Sequence, residues 1–394
     1  MSDLLYLAWR YFAYYRVRTA VLMCSITLIV YLPAGLNTLV SESANELTAR
    51  ANATPLLLGA KGSPLELVLS SLYFESDTPP SLRYAEVTRL EQSELASVIP
   101  LYTRFQTRDS AIIGTSLDYF AFRGLKLDEG RAFDMLGECV MGSRAAIAAG
   151  VGPGDTVMSK PDGVFDIGGV YPLKMHVVGV LEPTGTPDDR AVFVELRTAW
   201  VIEGLAHGHA DVNLPTQAPS ELRQEGTRVD SHPAVVHFNE VTPANVASFH
   251  FHGDRDSFPV TAAIAVPHDE KSGALLQGRY LGDDELVQIV RPMIVMQQLL
   301  RTVVNIQRYV QLAGLLLGIA TLALVALVFM LSVQLRRREL ETMIKIGGTR
   351  LRIVSLIAAE ILGVLVAGTI VAVGLACLTG WLGSTATRLI IQLT

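Results

Sequence analysis

The chain has 394 residues, of which 50% are hydrophobic and only 18% are charged, and its mean hydropathy is +0.36. This composition excludes a disordered protein and an ordinary soluble enzyme. Residues 42–307 hold 34 acidic and 21 basic side chains, a net charge of −13, whereas the remainder holds 4 acidic and 11 basic side chains, a net charge of +7. An acidic middle between basic, apolar ends indicates a water-exposed domain between membrane segments, and it argues against nucleic acid as a partner.

The amino-terminal residues 1–18 interleave basic and aromatic side chains, among them Trp9, Arg10, Arg16 and Arg18. This pattern is typical of an amphipathic helix that lies at a membrane interface, although a simple extension of the following span would also be helical. We therefore predict an interfacial helix over residues 1–18, with these four residues in contact with membrane lipids.

Three apolar segments are long enough to cross a bilayer, which takes about 20 helical residues. They are residues 19–41, 308–334 and 353–382. The first is longer than the apolar part of a signal peptide, and no clear cleavage site follows it, so we predict an anchor. The last residues, 383–394, are predicted to form a short tail.

The predicted fold is therefore an α-helical membrane protein with a large α+β extracytoplasmic domain, residues 42–307, between the first and second spans. Basic residues flank the first span on its amino-terminal side and fill the 335–352 segment, which places both inside and the domain outside. Helical stalks are predicted at the two ends of this domain, from Ser41 to Ala53 and within an unbroken helix from Met293 to Leu335.

Short strands and helices are predicted inside the external domain. The strands are Ser110–Ser116, Met175–Pro183, Ala191–Leu196, Ala234–Val241 and Val260–Pro267. A strand and a helix are predicted within Leu56–Phe74, a helix from Tyr84 to about Ser97, and helical pattern again from about Asp284.

Histidine is the one unusual residue type, because all eight histidines fall in the predicted external domain. His250 and His252 would point to one face of a strand with Asp254 nearby, which would start a zinc site that still needs one or two ligands. His207 and His209 are predicted to lie in a loop. Ordinary surface imidazoles are the alternative interpretation of all of them.

Motifs for nucleotide hydrolysis and for common catalytic sites are missing from the sequence. It contains no G-x-x-x-x-G-K-[ST] loop, no G-x-S-x-G elbow, no H-E-x-x-H pair and no C-x-x-C. We therefore predict a non-catalytic chain without a cofactor of its own, apart from the zinc considered above, and we expect ATP and Mg²⁺ on a partner.

The segment Gln334–Ile353, between the second and third spans, is the most informative part of the sequence. Three arginines lead into a run whose apolar residues recur at helical spacing, and Gly347 and Gly348 end it. This predicts a short helix across the cytoplasmic mouth of two membrane helices. A simple positive-inside hairpin would explain the arginines but not the apolar stripe.

This segment resembles the coupling segment of MacB-like (FtsX-like) ABC transporter permeases, whose approximate pattern is R-x-x-E-x-x-x-x-x-x-[IL]-G-[AG]-[ST], followed by I and then E. The matching residues are Arg336, Glu339, Ile346, Gly347, Gly348, Thr349, Ile353 and Glu360. Residues 112–133, 137–157 and 175–196 resemble the periplasmic core of the same family, so that the similarity extends over most of the chain.

The resemblance implies a permease dimer in the bacterial inner membrane, with a large periplasmic domain on each copy. A separate or fused ABC ATPase would dock on the coupling helix, and a periplasmic adaptor or lipoprotein is a further expected partner. Members of the family have a fourth span, which the tail 383–394 is too short to supply, so that the chain is expected to be either naturally short or truncated.

Our leading hypothesis is a permease subunit that couples ATP hydrolysis by a partner to periplasmic movement, for export or extraction of an envelope or lipophilic cargo. The predicted contacts with the ATPase are Arg338, Glu339, Glu341, Met343, Ile344, Lys345, Gly347 and Gly348. The alternative function is a metal-related uptake or sensing subunit that uses the external histidines.

Overall fold

The computed structural model describes residues 10, 13–14, 16–75, 79–160, 172–208, 239–282, 285–335, 337–345 and 349–393. The chain divides into two compact units, one of residues 50–296 and one of residues 1–49 together with 297–394. Most of the predicted strand Ala234–Val241 lies outside the described residues.

Ten α-helices are defined within the described residues. Their bounds are α1 Arg16–Asn52, α2 Pro64–Val68, α3 Tyr84–Glu91, α4 Asp118–Arg123, α5 Ser143–Ala149, α6 Leu196–Ile202, α7 Glu270–Arg279, α8 Pro292–Leu335, α9 Arg337–Lys345 and α10 Arg350–Leu393. A π-helical turn, Leu69–Tyr73, follows α2, and a 3₁₀ turn covers Pro187–Arg190.

Fourteen strands are defined in the same part of the chain. They are β1 Leu56–Ala60, β2 Leu82–Arg83, β3 Ala96–Gln106, β4 Ala111–Thr115, β5 Leu127–Gly130, β6 Glu138–Met141, β7 Thr156–Met158, β8 Lys174–Leu181, β9 Ala191–Glu195, β10 Ala206–His207, β11 His250–Phe251, β12 Pro259–Val260, β13 Ala262–Pro267 and β14 Val287–Val290.

The described residues contain three helical segments that are apolar and long enough to cross a membrane: Thr19–Thr38, Arg308–Leu335 and Ile357–Trp381. The three predicted spans are thereby confirmed. The helix that contains the third span continues to Leu393, so that the predicted tail is helical as well.

The spans pack through small residues, as their glycine content predicts. A Cβ on Gly368 would lie 2.8 Å from Cγ2 of Ile26, and the carbonyl oxygen of Gly368 accepts a 3.2 Å hydrogen bond from the hydroxyl of Thr27. The hydroxyls of Tyr31 and Thr379 lie 2.9 Å apart. Close backbone approach and hydroxyl pairs thus hold α1 against α10.

The external unit is built on one mixed sheet. Its strand order is β14-β1-β13-β3-β4-β9-β6-β8-β5, with β7 paired to β8. The pairs β4–β9 and β6–β8 are parallel, and the other pairs are antiparallel. Helices and strands alternate along this unit, and the predicted α+β domain between the first two spans is confirmed.

Alternating side chains give the sheet two apolar faces. In β9, Val192 and Val194 join one buried cluster, whereas Ala191 and Phe193 join the other. We call the first side the Trp200 face, because α6 packs there together with α3 and α7. The second side is the stalk face, where α2, the π-helical turn and α4 pack.

Two predicted helices are wrong in part, because the structure places part of each segment in a strand of the sheet. The helix that begins at Tyr84 ends at Glu91, and the chain then enters β3. The segment after Asp284 forms β14, because Val287–Val290 completes an antiparallel pairing with β1 at the sheet edge. The unbroken helix α8 and the extension of α1 to Asn52 agree with the predicted stalks.

Candidate functional site

The end of α1 is tied to the external domain by a buried ion pair. Arg50 and Asp188 are 8% and 1% exposed. Nη1 of Arg50 donates to Oδ2 of Asp188 at 2.6 Å, and Nη2 donates to Oδ1 at 2.8 Å, so that the pair is bidentate. Nη2 also donates to the hydroxyl of Tyr119 at 2.6 Å, and this hydroxyl donates to Oδ1 of Asp188 at 2.8 Å. We call these three residues the stalk joint.

The charges in the stalk joint stabilise one another against the cost of burial. Burial by itself raises the pKa of Asp188, but the hydrogen bond and charge of Arg50 outweigh it, and the pKa lies below its ordinary value. Burial raises the pKa of Tyr119, which therefore stays a neutral hydroxyl that can donate. The guanidinium and the carboxylate are accordingly both charged at neutral pH.

The turn that carries Asp188 is fixed by its own sequence. Thr186 caps the 3₁₀ turn by accepting from the backbone N–H of Asp188 at 3.3 Å. Gly142, at the end of β6, lets the backbone of this turn approach closely, because a Cβ there would overlap the carbonyl oxygen of Asp188. The carboxylate is thus held in place before Arg50 reaches it.

Both long helices end in the same apolar layer of the external domain. Ala51 of α1 and Met296 of α8 are fully buried, and both belong to the cluster on the stalk face. The Arg50 guanidinium also lies 5.4 Å from the ring centroid of Phe74, a residue with φ of 57° that ends the π-helical turn. The end of α1 and the start of α8 therefore belong to one buried layer of this unit.

The segment predicted to form the coupling helix contains the helix α9, Arg337–Lys345. Arg338, Glu341 and Lys345 are exposed on it, and Arg337 Nε lies 3.4 Å from Glu341 Oε1. Glu339, Met343 and Ile344 belong to the same helix, but the structure describes only their backbone. Gly347 and Gly348 lie outside the described residues.

The predicted membrane-interface residues are described in part. Arg10 and Arg16 are helical and exposed, and Nε of Arg16 donates to the carbonyl oxygen of Ala13 at 2.9 Å. Arg18 lies in α1, where only its backbone is described, and Trp9 lies outside the described residues. The interfacial helix over residues 1–18 stays a prediction.

Three histidines converge on the short antiparallel pair of β10 and β11, two strands that are distant in the sequence. His207 stands directly opposite His250 in the antiparallel register, and His252 follows two residues after His250. The ring centroids are 5.0 Å apart for His207 and His250, 4.6 Å for His207 and His252, and 4.7 Å for His250 and His252. One ring nitrogen of each residue can be chosen so that all lie within 4.8 Å of one another. We call this group the histidine hairpin.

The membership of this group differs from the sequence prediction. His207 was expected in a loop, but it lies in β10 and belongs to the group. Asp254 is not part of the group, because the chain turns at Gly253, where φ is 111°, and the Asp254 side chain caps the next 3₁₀ turn. His209 lies outside the described residues.

The stalk joint was missed at the sequence level. Arg50 is visible as a lone base near the end of the first predicted stalk, and Asp188 is visible in a turn-forming Thr-Pro-Asp-Asp run. Nothing in the local pattern connects positions so far apart in the chain. The burial of Arg50, which calls for a carboxylate partner, is visible only in the structure.

Comparisons with known proteins agree with the architecture. The family model of the MacB-like periplasmic core domain matches residues 21–225. A search of curated proteins finds no match.

Two solved structures that are similar to the chain are extracytoplasmic domains. The periplasmic region of MacB from Actinobacillus actinomycetemcomitans is 14% identical, with a TM-score of 0.33, and the match covers 63% of this chain and 94% of that one. The extracellular domain of the ABC-type transporter YknZ from Gram-positive bacteria is 12% identical, with a TM-score of 0.33, and the match covers 60% of this chain and 98% of that one.

Proposed function

Since this chain belongs to the family of MacB-like ABC transporter permeases, we propose that it converts ATP hydrolysis by a separate ATPase into movement of its external domain. It is a membrane component of a transporter with an extracytoplasmic domain. The proposed cargo is an envelope component or a lipophilic molecule that is exported or extracted, and the proposed location is the bacterial inner membrane. The chain itself would perform no catalysis.

The observation that carries this proposal is the attachment of two long helices to one buried layer. α1 has 37 residues and α8 has 44, and each continues from a candidate membrane span to a fully buried residue of the external domain. At 1.5 Å per residue, α8 is about 66 Å long. The helix is continuous from the candidate span to Met296.

The stalk joint makes the attachment of α1 resistant to sliding. A bidentate guanidinium–carboxylate pair is directional, so a shift of α1 along its axis would break both hydrogen bonds together. Buried charges that lose their partners are costly, which opposes the separation of Arg50 from Asp188. Transmission of movement through α1 would require an attachment that resists displacement in this way.

We propose that α9 forms the cytoplasmic end of this transmission pathway and contacts the ATPase. Its exposed Arg338, Glu341 and Lys345 offer both signs of charge within one short helix, which suits a polar docking cleft on a partner. The partners we propose are a cytoplasmic ABC ATPase, a second copy of a permease chain, and a periplasmic adaptor or lipoprotein.

The experiment that tests the function is capture of the ATPase with variants of α9. The full chain, purified from its native membrane, is expected to bring an ABC ATPase with it, and a variant with Ile344→Asp and Lys345→Glu is expected to lose it. ATP hydrolysis by the captured complex should fall in parallel. Lys271→Glu provides the control for Lys345→Glu, because it reverses the same charge on an exposed position of the external domain.

A complex that keeps its ATPase and its hydrolysis rate in the α9 variant would disprove the docking role. If the Lys271 control lost the ATPase as strongly, the effect would come from charge or expression and the assignment to α9 would fail.

A further inference from the structure

The geometry of the histidine hairpin points to a metal site, and we propose that His207, His250 and His252 bind one Zn²⁺ ion on the external domain. Zinc binding at this place is independent of the coupling function proposed above. It requires only the external unit, whereas coupling depends on α9 and the long helices.

The distances between the rings suit a zinc ion after a small closure. Zn–N bonds of about 2.0–2.1 Å in a tetrahedral site hold the ligand nitrogens about 3.3 Å apart. One ring nitrogen of each of the three histidines can be chosen so that the three atoms lie within 4.8 Å of one another. The ring centroids are already within 5.0 Å of one another, so we expect rotation about the side-chain bonds to close this gap.

The hairpin under the rings is firmly packed. Ala206 is buried, and Phe251 packs with the apolar cluster of the Trp200 face, where the Phe251 and Trp200 ring centroids are 6.5 Å apart. The indole N–H of Trp200 donates to the carbonyl oxygen of Pro259 at 2.8 Å. The apolar residues of β10 and β11 thus face the core, and the imidazoles alternate to the other side. His207 and His250 therefore lie on packed strands, which position ligands better than loops do.

The chemistry of His250 fits a ligand bound through Nε2. Its Nδ1 lies 3.1 Å from the carbonyl oxygen of Ser248. A carbonyl oxygen can only accept, so this contact places the proton on Nδ1. A neutral imidazole in that tautomer presents a lone pair on Nε2, and a second nitrogen hydrogen-bonded to a backbone carbonyl is the usual support of a metal-binding histidine.

The ligand set selects the kind of metal. Imidazole ligands suit zinc, copper and nickel, but Cu²⁺ and Ni²⁺ prefer a planar or tetragonal arrangement. Three rings gathered on one side of a hairpin match the face of a tetrahedron. His252 is exposed and His207 is half-buried, so the fourth position would face solvent and hold water or a group from a partner.

A zinc titration of the full chain in detergent tests the proposal. The protein carries no polyhistidine tag and is first freed of metal, and Zn²⁺ is then partitioned against a chromogenic chelator. We expect one tightly bound Zn²⁺ that depends on the hairpin, with affinity lowered at least about 100-fold in His207→Ala and in His250→Ala. The loss of a ligand should exceed the 10–100-fold effect typical of its supporting groups.

His268→Ala is the matched control, because His268 is an exposed histidine of the same domain outside the hairpin. It is expected to leave this binding unchanged. His250→Gln, which keeps the size and polarity of the side chain, should lose zinc while retaining the thermal midpoint of the metal-free protein. This variant separates loss of a ligand from loss of folding.

Two results would overturn the proposal. One is the absence of stoichiometric Zn²⁺ binding by the unaltered chain. The other is binding that persists at full affinity in both His207→Ala and His250→Ala, which would show that zinc is held elsewhere.

Discussion

The stalk joint and the histidine hairpin pack against opposite faces of one sheet, and they use polar side chains in opposite ways. Arg50 and Asp188 are buried, and each satisfies the charge of the other. The three histidines stand on the outer side of a hairpin whose inner residues supply the packing. Removal of a polar partner should therefore unfold the first region and leave the fold of the second unchanged. Polar groups contribute to stability where water cannot replace them.

The largest effect is expected from Arg50→Met. Methionine fills similar space but leaves the Asp188 carboxylate buried without its partner, which typically costs about 3–5 kcal/mol. Unfolding of the full chain in detergent, followed by near-ultraviolet circular dichroism against denaturant, measures the loss.

Arg50→Met combined with Asp188→Leu is the matched partner of this variant, because it removes both charges. It should recover most of the stability that the single variant loses. Equal losses of stability in the single and double variants would mean that the unpaired charge does not cause the destabilisation. The proposed difference between the two regions would then be wrong.

The second-largest effect is expected from acid, which should weaken the stalk joint. The pKa of Asp188 is lower in the folded chain than in the unfolded chain, so the carboxylate stabilises the fold fully above its unfolded pKa of about 3.9. That contribution is lost as pH falls below this value and through the lower folded pKa. Denaturant midpoints measured from pH 6 to pH 2 should fall more steeply for the unaltered chain than for the Arg50→Met/Asp188→Leu variant. Parallel curves would exclude Asp188 as the responsible group.

A smaller loss is expected from Gly142→Ala. The added Cβ would overlap the backbone of the turn that carries Asp188 and displace the carboxylate from Arg50. Overpacking of this kind costs about 1–3 kcal/mol. Gly62→Ala is the control, since a Cβ there meets no described atom within 4 Å. If both substitutions were neutral, the turn would be more adaptable than the close approach implies.

The sequence predicts the membrane spans and the stalk helices well because their signal is local. Uncharged runs of helical length and the absence of breakers from Ser41 to Ala53 require no knowledge of the rest of the chain. The strand β3 was missed for a local reason as well, since Pro100 interrupts its apolar run and proline normally argues against a central strand. Here it pairs with Ala263 in the middle of the sheet.

The two candidate sites were predictable to different degrees. The i, i+2 spacing of His250 and His252 indicates a shared face in any strand, so two of the three converging histidines could be identified from sequence. The third depends on the antiparallel register that sets His207 opposite His250. The stalk joint depends entirely on the tertiary fold, because Arg50, Tyr119 and Asp188 come from three separate elements.

The smallest effect is expected from His250→Ala in the metal-free chain, where the free energy of unfolding should change by no more than about 0.5 kcal/mol. The side chain stands on the outer side of the hairpin, and surface substitutions away from buried networks usually stay within this range.

Saturating Zn²⁺ should then stabilise the unaltered chain and leave the variant unchanged, because a ligand stabilises only the state that binds it. Denaturant unfolding in chelator and in excess zinc measures both quantities. A loss in chelator as large as that of Arg50→Met would show that the imidazole supports the fold itself, and the contrast between the two faces of the sheet would then be wrong.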